Sequence, residues 1–173
     1  MKKLAKLTAL LLTGVMLLLL ASCGAAPNPL TPEQQAKQQI LAALNKYRTS
    51  NGAKEVNEIT ELSAAEQFWV DAFRKAGNYK ISKSEFDSVF PEYERMRPSE
   101  WVQGSKSYLG WESTPTYDYF WLEDTDPSDT VKLMQRFATK SGIKSDKNTA
   151  VGIGVTTING KIYWAFTLYA PAT

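Results

Sequence analysis

Few side chains in this chain of 173 residues could carry out chemistry. The sequence contains no histidine and a single cysteine, Cys23. A Ser-His-Asp triad, a Cys-His dyad and every zinc site built on histidine are therefore excluded. One cysteine permits neither an intrachain disulfide nor a cluster of thiolate ligands. Carboxylates remain as the groups for acid–base chemistry, and stability has to come from an ordinary apolar core.

Three carboxylates are candidates for a hydrolytic role: Glu66, Glu112 and Asp118. Glycoside hydrolysis needs two acids that face one cleft at about 5–10 Å. No spacing in the sequence points to such a pair. Because a sequence does not give the distance between two acids in space, a cell-envelope hydrolase is kept as an alternative function.

Four further acids lie within seven residues: Glu123, Asp124, Asp126 and Asp129. This spacing resembles the start of a calcium-binding EF-hand loop. However, Asp129 stands where that loop needs a glycine, and a glutamine stands where it needs its bidentate glutamate. Helix capping and the helix dipole explain Asp126 and Asp129 without a metal. We predict no metal and no other cofactor.

The surroundings of Cys23 predict its chemistry. Three lysines within the first six residues precede an apolar stretch from Leu7 to Leu20. That stretch is shorter than the ~20 residues of a membrane-spanning helix and is typical of a secretory signal. Leu20-Ala21-Ser22-Cys23 resembles the lipobox of bacterial lipoproteins, in which the thiol receives a diacylglyceryl group and becomes the first residue. The alternative is an ordinary cleaved signal that leaves Cys23 as an unmodified thiol.

Cleavage before Cys23 changes the charge of the protein. The whole chain carries 20 lysines and arginines against 18 acidic residues. Residues 1–22 contain three of the lysines and no acid, so the mature chain has 17 basic and 18 acidic groups. A net charge near zero leaves no case for nucleic acid as a partner.

Hydrophobic periodicity and capping patterns predict four helices. The first has Thr31 as its N-cap and ends at Asn51-Gly52. The second begins in a capping box at Ser63 and stops at Gly77. A shorter helix over Lys83–Phe90 is closed by Pro91, and a fourth runs from Asp126 to Gly142.

Aromatic residues mark the middle of the chain, where Trp101–Trp111 and Thr116–Leu122 are predicted strands. If these aromatic side chains are exposed, they would stack on sugar rings of a cell-wall glycan or hold a small apolar molecule. The alternative is that most of them fill the core. Trp111, beside Gly110 and Glu112, is the aromatic residue chosen as a candidate for binding, together with Glu112.

The end of the chain carries the clearest hairpin signal. Ala150–Ile158 and Lys161–Tyr169 flank Asn159-Gly160, a pair that favours a two-residue type I′ turn. The second of these strands is apolar on both faces, which predicts a central strand covered on both sides. Helices followed by a mixed section and a hairpin predict an α+β fold, with a mostly antiparallel sheet between helices in a three-layer αβα sandwich.

Two segments resemble the CAP superfamily, which groups cysteine-rich secretory proteins, antigen 5 and pathogenesis-related 1. Ile40–Gly52, ILAALNKYRTSNG, is similar to the opening helix of the family, with Asn45 and Arg48 at its characteristic polar positions. Ala150–Tyr169, AVGIGVTTINGKIYWAFTLY, is similar to the closing hairpin with its V-G-x-G strand. The resemblance spans residues 32–169 in order and is specific over about thirty residues at the two ends.

The resemblance implies the αβα sandwich, but it departs from the family at the cavity. CAP domains commonly present two histidines and two glutamates that hold a divalent metal, and this chain has no histidine. Glu112 lies one residue out of step with a cavity acid of the family. Asn45 and Arg48 either line a binding groove or hold neighbouring loops, by bonds from the asparagine to a loop and from the arginine to a carboxylate or a carbonyl.

These observations predict a lipoprotein in three parts: a signal peptide at 1–22, a tether at 23–30 and a CAP-like domain at 31–173. Lipidated Cys23 would hold the domain to the cell membrane on its extracytoplasmic face. We expect non-enzymatic binding of a cell-envelope component or a small apolar ligand. A carboxylate hydrolase and a purely structural or interaction lipoprotein are the alternatives.

Overall fold

The computed structural model describes residues 29–104, 110–113, 118–124, 126–127, 129 and 141–173. The helices are α1, Pro32–Ser50; α2, Thr60–Lys75; and α3, Lys83–Met96, followed later by a 3-10 turn at Ser141–Lys144. The strands are β1, Asn57–Glu58; β2, Lys80–Ser82; β3, Trp101–Gln103; β4, Gly110–Ser113; β5, Asp118–Trp121; β6, Ala150–Ile158; and β7, Lys161–Pro171.

The signal segment, Cys23 and most of the tether lie outside the described residues. So does most of the helix predicted from Asp126 to Gly142. These four features remain predictions. Within the described ranges, none of the helices has the length and apolar character to cross a membrane.

The described residues form the predicted αβα sandwich. One sheet has the strand order β1-β6-β7-β3, in which only the β1–β6 pair is parallel. A second, antiparallel sheet has the order β2-β5-β4 and reaches β7 through a bridge between Glu123 and Trp164. Helix α1 packs on one face of β6 and β7, and α2 packs on the other with α3 beside it.

Helix α1 begins and ends as its sequence predicts. The backbone N–H of Thr31 donates to the side chain of Gln34, and Thr31 Oγ1 accepts from the Gln34 backbone, which completes a capping box. Gly52 takes a positive φ of 80° just after the helix. The apolar face of α1 is buried against β6 and β7 and includes Ala36, Ile40 and Leu44.

Helix α2 begins one turn earlier than predicted. Its first residue is Thr60, its N-cap is Ile59, and Ser63 lies inside the helix. The Ser63 hydroxyl donates to Glu58 and accepts from the backbone N–H of Ile153 in β6. One turn along, Gln67 makes two hydrogen bonds to the backbone of Val155. Strand β1 is only two residues long, and beyond it the side chains of Ser63 and Gln67 bond the backbone of β6 in its place. The prediction of a capping box at Ser63 is therefore wrong.

Two glycines in β6 allow α2 to lie directly on the strand. A Cβ atom built on Gly152 would stand 2.6 Å from the carbonyl oxygen of Leu62 and 2.9 Å from Cγ of Glu66. At Gly154 the added atom would overlap the backbone of Glu66. The V-G-x-G pattern therefore sets the helix-to-strand distance.

Helix α3 continues through Pro91 to Met96, so the prediction that Pro91 closes it is wrong. Its start is a capping box in which Ser82 and Glu85 bond each other. The five residues beyond Pro91 include Tyr93, which is buried in the core shared with α2. This burial explains why the helix runs on past the proline.

The closing hairpin is confirmed. Asn159 and Gly160 have φ angles of 52° and 77°, as a type I′ turn requires. Strand β6 pairs with β7 along its whole length, from Ala150–Tyr169 to Ile158–Lys161. Alternate residues of β7 enter the two cores, with Trp164 and Phe166 towards α1 and Tyr163 and Ala165 towards α2.

Candidate functional site

The two polar residues of the opening helix fasten α1 to neighbouring segments. Arg48 is completely buried and donates to the carbonyl oxygens of Lys54, Ile143, Ser145 and Asn148 at 2.6–3.1 Å. Of the two roles that the sequence left open for Arg48, these hydrogen bonds match the one in which it holds neighbouring loops. A guanidinium that is closed off in this way offers no surface to a ligand.

Asn45 completes the same arrangement one turn earlier. Its side-chain amide donates to the carbonyl of Val56 and accepts from the N–H of Val56, at 3.0 and 2.9 Å. These two hydrogen bonds resemble those between the backbones of neighbouring strands, and they hold the segment that leads into β1. Asn45 and Arg48 therefore hold the same segment after α1, through Val56 and Lys54, and Arg48 alone also reaches residues 143–148.

The other predicted site residues lie on the second sheet. Trp111 and Glu112 belong to β4, and Asp118 belongs to β5. Their backbones pair in register, Trp111 with Phe120 and Glu112 with Tyr119. The side chains of Trp111, Glu112 and Asp118 lie outside what the structure describes, so their predicted roles stay predictions.

Glu66 lies at the centre of a buried polar cluster. Its side chain is fully buried, and Oε1 accepts from the hydroxyls of Tyr93 at 2.7 Å and Tyr169 at 3.0 Å. The two hydroxyls also lie 3.1 Å apart. Oε2 has no hydrogen-bond partner among the residues that the structure describes. One carboxyl group thus joins α2, α3 and β7.

Burial controls the protonation of this cluster. Removal from water raises the pKa of Glu66 above its ordinary value, and the hydrogen bonds from Tyr93 and Tyr169 and the charge of Arg97 only partly offset this. The pKa values of both tyrosines rise as well, because each hydroxyl is buried beside the carboxyl. The group is sealed from solvent, so Glu66 acts on the fold and not on a substrate.

The cluster is only partly visible in the sequence. The sequence indicates Glu66 as a candidate, but as a hydrolytic acid. Its partners Tyr93 and Tyr169 are 27 and 103 residues away. The sequence offers one signal for this cluster, which is a glutamate among the apolar positions of a helix that faces a V-G-x-G strand.

An open groove lies between α2, β2 and α3, which we call the α2–α3 groove. It encloses about 220 Å³ and its walls are mostly apolar. Phe68 and Ala72 come from α2, Ile81 from β2 and Val89 from α3. Lys75 and Glu85 also line it and are exposed. The Glu85 carboxylate is engaged by Ser82, whereas Lys75 makes no ion pair with any described residue.

The acidic segment after β5 is used by the fold. Glu123 is buried, and its backbone makes two hydrogen bonds of 2.9 Å with Trp164. Asp124 accepts from the Lys161 ammonium at 2.8 Å, and that bond raises the pKa of Lys161. Within the described part of the chain, no three potential ligand residues are grouped around a metal position.

No protein-family model matches the sequence, and no curated protein matches it either. Solved structures do match. The chain is similar in fold to a bacterial outer surface protein. That protein comes from Borrelia burgdorferi, and the match has a TM-score of 0.56 and 6% identity over 83% of this chain and 97% of that chain. BmVAL-1 also matches, with a TM-score of 0.41 and 15% identity over 87% of this chain and 82% of that one. At these identities the likeness concerns the fold alone.

Proposed function

We propose that this protein is a membrane-anchored, extracytoplasmic lipoprotein whose CAP-like domain, without the cavity histidines, binds a small apolar ligand and performs no catalysis. The α2–α3 groove is the observation that carries this proposal. The signal-like start and the lipobox-like segment before Cys23 support the location. The fold shared with an outer surface protein agrees with that location.

The groove favours a short chain with a polar head. Its volume of 220 Å³ is filled by about seven groups of the size of water. The apolar walls formed by Phe68, Ile81 and Val89 would remove that many methylene groups from water, each contributing roughly 0.8 kcal/mol. The gross gain is about 5–6 kcal/mol, which by itself would correspond to a Kd of about 0.04–0.2 mM. Because association also costs free energy, we expect weaker, reversible binding.

The charge at the groove selects the head group. Lys75 presents an exposed ammonium there, and Glu85 is already held by the capping box of α3. A carboxylate on the ligand would face Lys75, because opposite charges attract and no described acid pairs with it. The ligand class that fits is a short-chain carboxylic acid.

Titration with octanoate, followed by displacement of a fluorescent apolar probe, tests the proposal. Ala72→Trp should abolish displacement, because the indole would fill the groove. Ala64→Trp is the matched control, since Ala64 is an exposed residue of the same helix. Lys75→Glu should weaken octanoate more than octanol. Equal binding by Ala72→Trp and wild type, or no binding by wild type, would refute the groove as the ligand site.

A further inference from the structure

The first turn of α1 lies beside the β6–β7 turn. Arg48, near the end of α1, donates to the carbonyl of Asn148, which stands just before β6. Glu33, in the first turn of α1, accepts a hydrogen bond from Thr157, near the end of β6. Helix α1 therefore runs in the opposite direction to β6, and its start shares one end of the domain with the turn at residues 159–160.

The last turn of α2 reaches the same end of the domain from the other face of the sheet. Ser63 bonds the backbone of Ile153, and Gln67 bonds that of Val155, so α2 runs in the same direction as β6. Eight residues carry the helix on from Gln67 to Lys75, a rise of about 12 Å, and three residues carry β6 to its end, about 10 Å away. We call this end of the domain the hairpin end, which comprises residues 30–34, 74–79 and 158–161.

The hairpin end exposes two large apolar side chains. Leu30, which precedes the N-cap of α1, and Tyr79, which follows α2, are each 42% exposed. The Tyr79 ring stacks on that of Tyr163, which is buried in β7, with the ring centroids 5.1 Å apart and the planes at 7°. This support fixes the Tyr79 ring while part of it stays exposed. Because removal of apolar surface from water is favourable, the hairpin end suits contact with another surface.

The chain enters the domain at the hairpin end. Leu30 is seven residues after Cys23, and the lipid on Cys23 belongs to the proposed function, on which this inference rests. So short a tether keeps the hairpin end close to the bilayer, whereas the other end of the 19-residue α1 lies about 28 Å from it along the helix axis. The length of the tether and its point of entry therefore select the lipid bilayer as the partner.

Ion pairs neutralise much of the charge at the hairpin end. Arg74 pairs with Asp71, and Lys161 pairs with Asp124. Lys75 adds one positive charge that pairs with no described acid. A single such charge attracts anionic lipid headgroups only weakly. Attraction of the hairpin end to a bilayer would therefore come mainly from its apolar side chains.

We propose that the hairpin end docks on the surface of the bilayer, with Leu30 and Tyr79 at the level of the lipid headgroups. Tyrosine suits this position because its ring is apolar and its hydroxyl is polar. Docking would give the tethered domain one orientation, in which the opposite end of α1 points away from the membrane. Lys75, which lines the α2–α3 groove in the last turn of α2, would then lie on the membrane side.

Quenching of a fluorescent label by nitroxides on the lipid headgroups tests the docking. The lipidated protein is placed in phosphatidylcholine vesicles, and because Cys23 carries the lipid, a new cysteine is its only free thiol. Lys161, in the hairpin end, and Ser50, the last residue of α1, are both exposed. The label on Lys161→Cys should be quenched at least about twofold more than that on Ser50→Cys, since about 28 Å of helix separates the two ends of the domain. High salt should preserve this difference, and its loss in high salt would refute apolar docking.

Substitutions separate the docking from the tether. Leu30→Ser combined with Tyr79→Ser should remove the difference between the two labels, and a difference that survives would refute these side chains as the contacts. Val102→Ser is the matched control and should keep the difference, since Val102 is 48% exposed and pairs with the far end of β7. Protein that does not sediment with the vesicles would refute the lipid anchor, and the docking with it. Sedimentation with equal quenching of the two labels would refute the docking alone, and octanoate binding in solution tests the α2–α3 groove separately.

Discussion

A single buried carboxyl group links three elements of this fold. Glu66 accepts hydrogen bonds from Tyr93 of α3 and Tyr169 of β7, and no described residue bonds its second oxygen. A protonated carboxyl would place its hydrogen on that second oxygen and keep both tyrosine bonds. Protonation therefore suits the cluster, which agrees with the raised pKa of Glu66.

This linkage predicts how stability depends on pH. The unfolded chain loses the Glu66 proton near its ordinary pKa of 4.5, whereas the folded chain holds it to higher pH. Below both pKa values the contribution is fully present. As pH rises from about 4.5 through the folded pKa, the free energy of unfolding falls by up to ~1.4 kcal/mol per pH unit for this proton.

Glu66→Gln should remove this slope, since the amide cannot ionise. Urea unfolding at a series of pH values measures this slope. The free energy of unfolding of the variant, relative to that of wild type, should increase as the pH rises. Glu61→Gln, at an exposed position of the same helix, is the control and should follow wild type. A constant difference between Glu66→Gln and wild type at every pH would contradict the assignment.

At the scale of elements, the contact between α2 and β6 depends on the absence of side chains. Gly152→Ala would place a methyl group 2.6 Å from a backbone oxygen of α2. Backbone cannot move aside as a flexible side chain does, so we expect a loss of about 1–3 kcal/mol of stability. Denaturant unfolding measures it, with Thr149→Ala, an exposed position just before β6, as control. A loss under about 0.5 kcal/mol, the range of ordinary surface substitutions, would show that α2 adapts.

The sequence predicted those elements whose signals are local. The capping box at Thr31, the Asn159-Gly160 turn and the two-sided apolar pattern of β7 each lie within one element or one turn, and all three are confirmed. The fold class followed from their order along the chain.

Errors arose where a distant partner overrides a local preference. Ser63 has the pattern of an N-cap, but its hydroxyl is bonded to Glu58 and to the backbone of Ile153 in β6, and the helix starts earlier. Pro91 favours a helix end, but Tyr93 is anchored to Glu66 and the helix continues. The α2–α3 groove could not be predicted, because it is lined by three separate segments of the chain.

At the scale of the whole molecule, the proposed membrane location depends on Cys23. Cys23→Ala should release the protein from the membrane fraction, because the diacylglyceryl group has no other thiol to modify. Fractionation of cells that express each form, followed by detection of the protein, measures this. Ser22→Ala keeps a small residue before the cysteine and should remain membrane-bound. Retention of Cys23→Ala in the membrane would refute the lipid anchor.

The start of α1 and the β6–β7 turn share one end of the molecule, where Thr157 donates a hydrogen bond to Glu33. With lipid on Cys23, the eight residues to Leu30 would extend at most about 29 Å. This end of the domain would then be confined to a thin layer above the bilayer. Within such a layer a ligand immobilised at the membrane is presented at an effective concentration in the millimolar range. A site of weak intrinsic affinity would therefore be occupied beside the membrane and empty when the same ligand is dilute in solution.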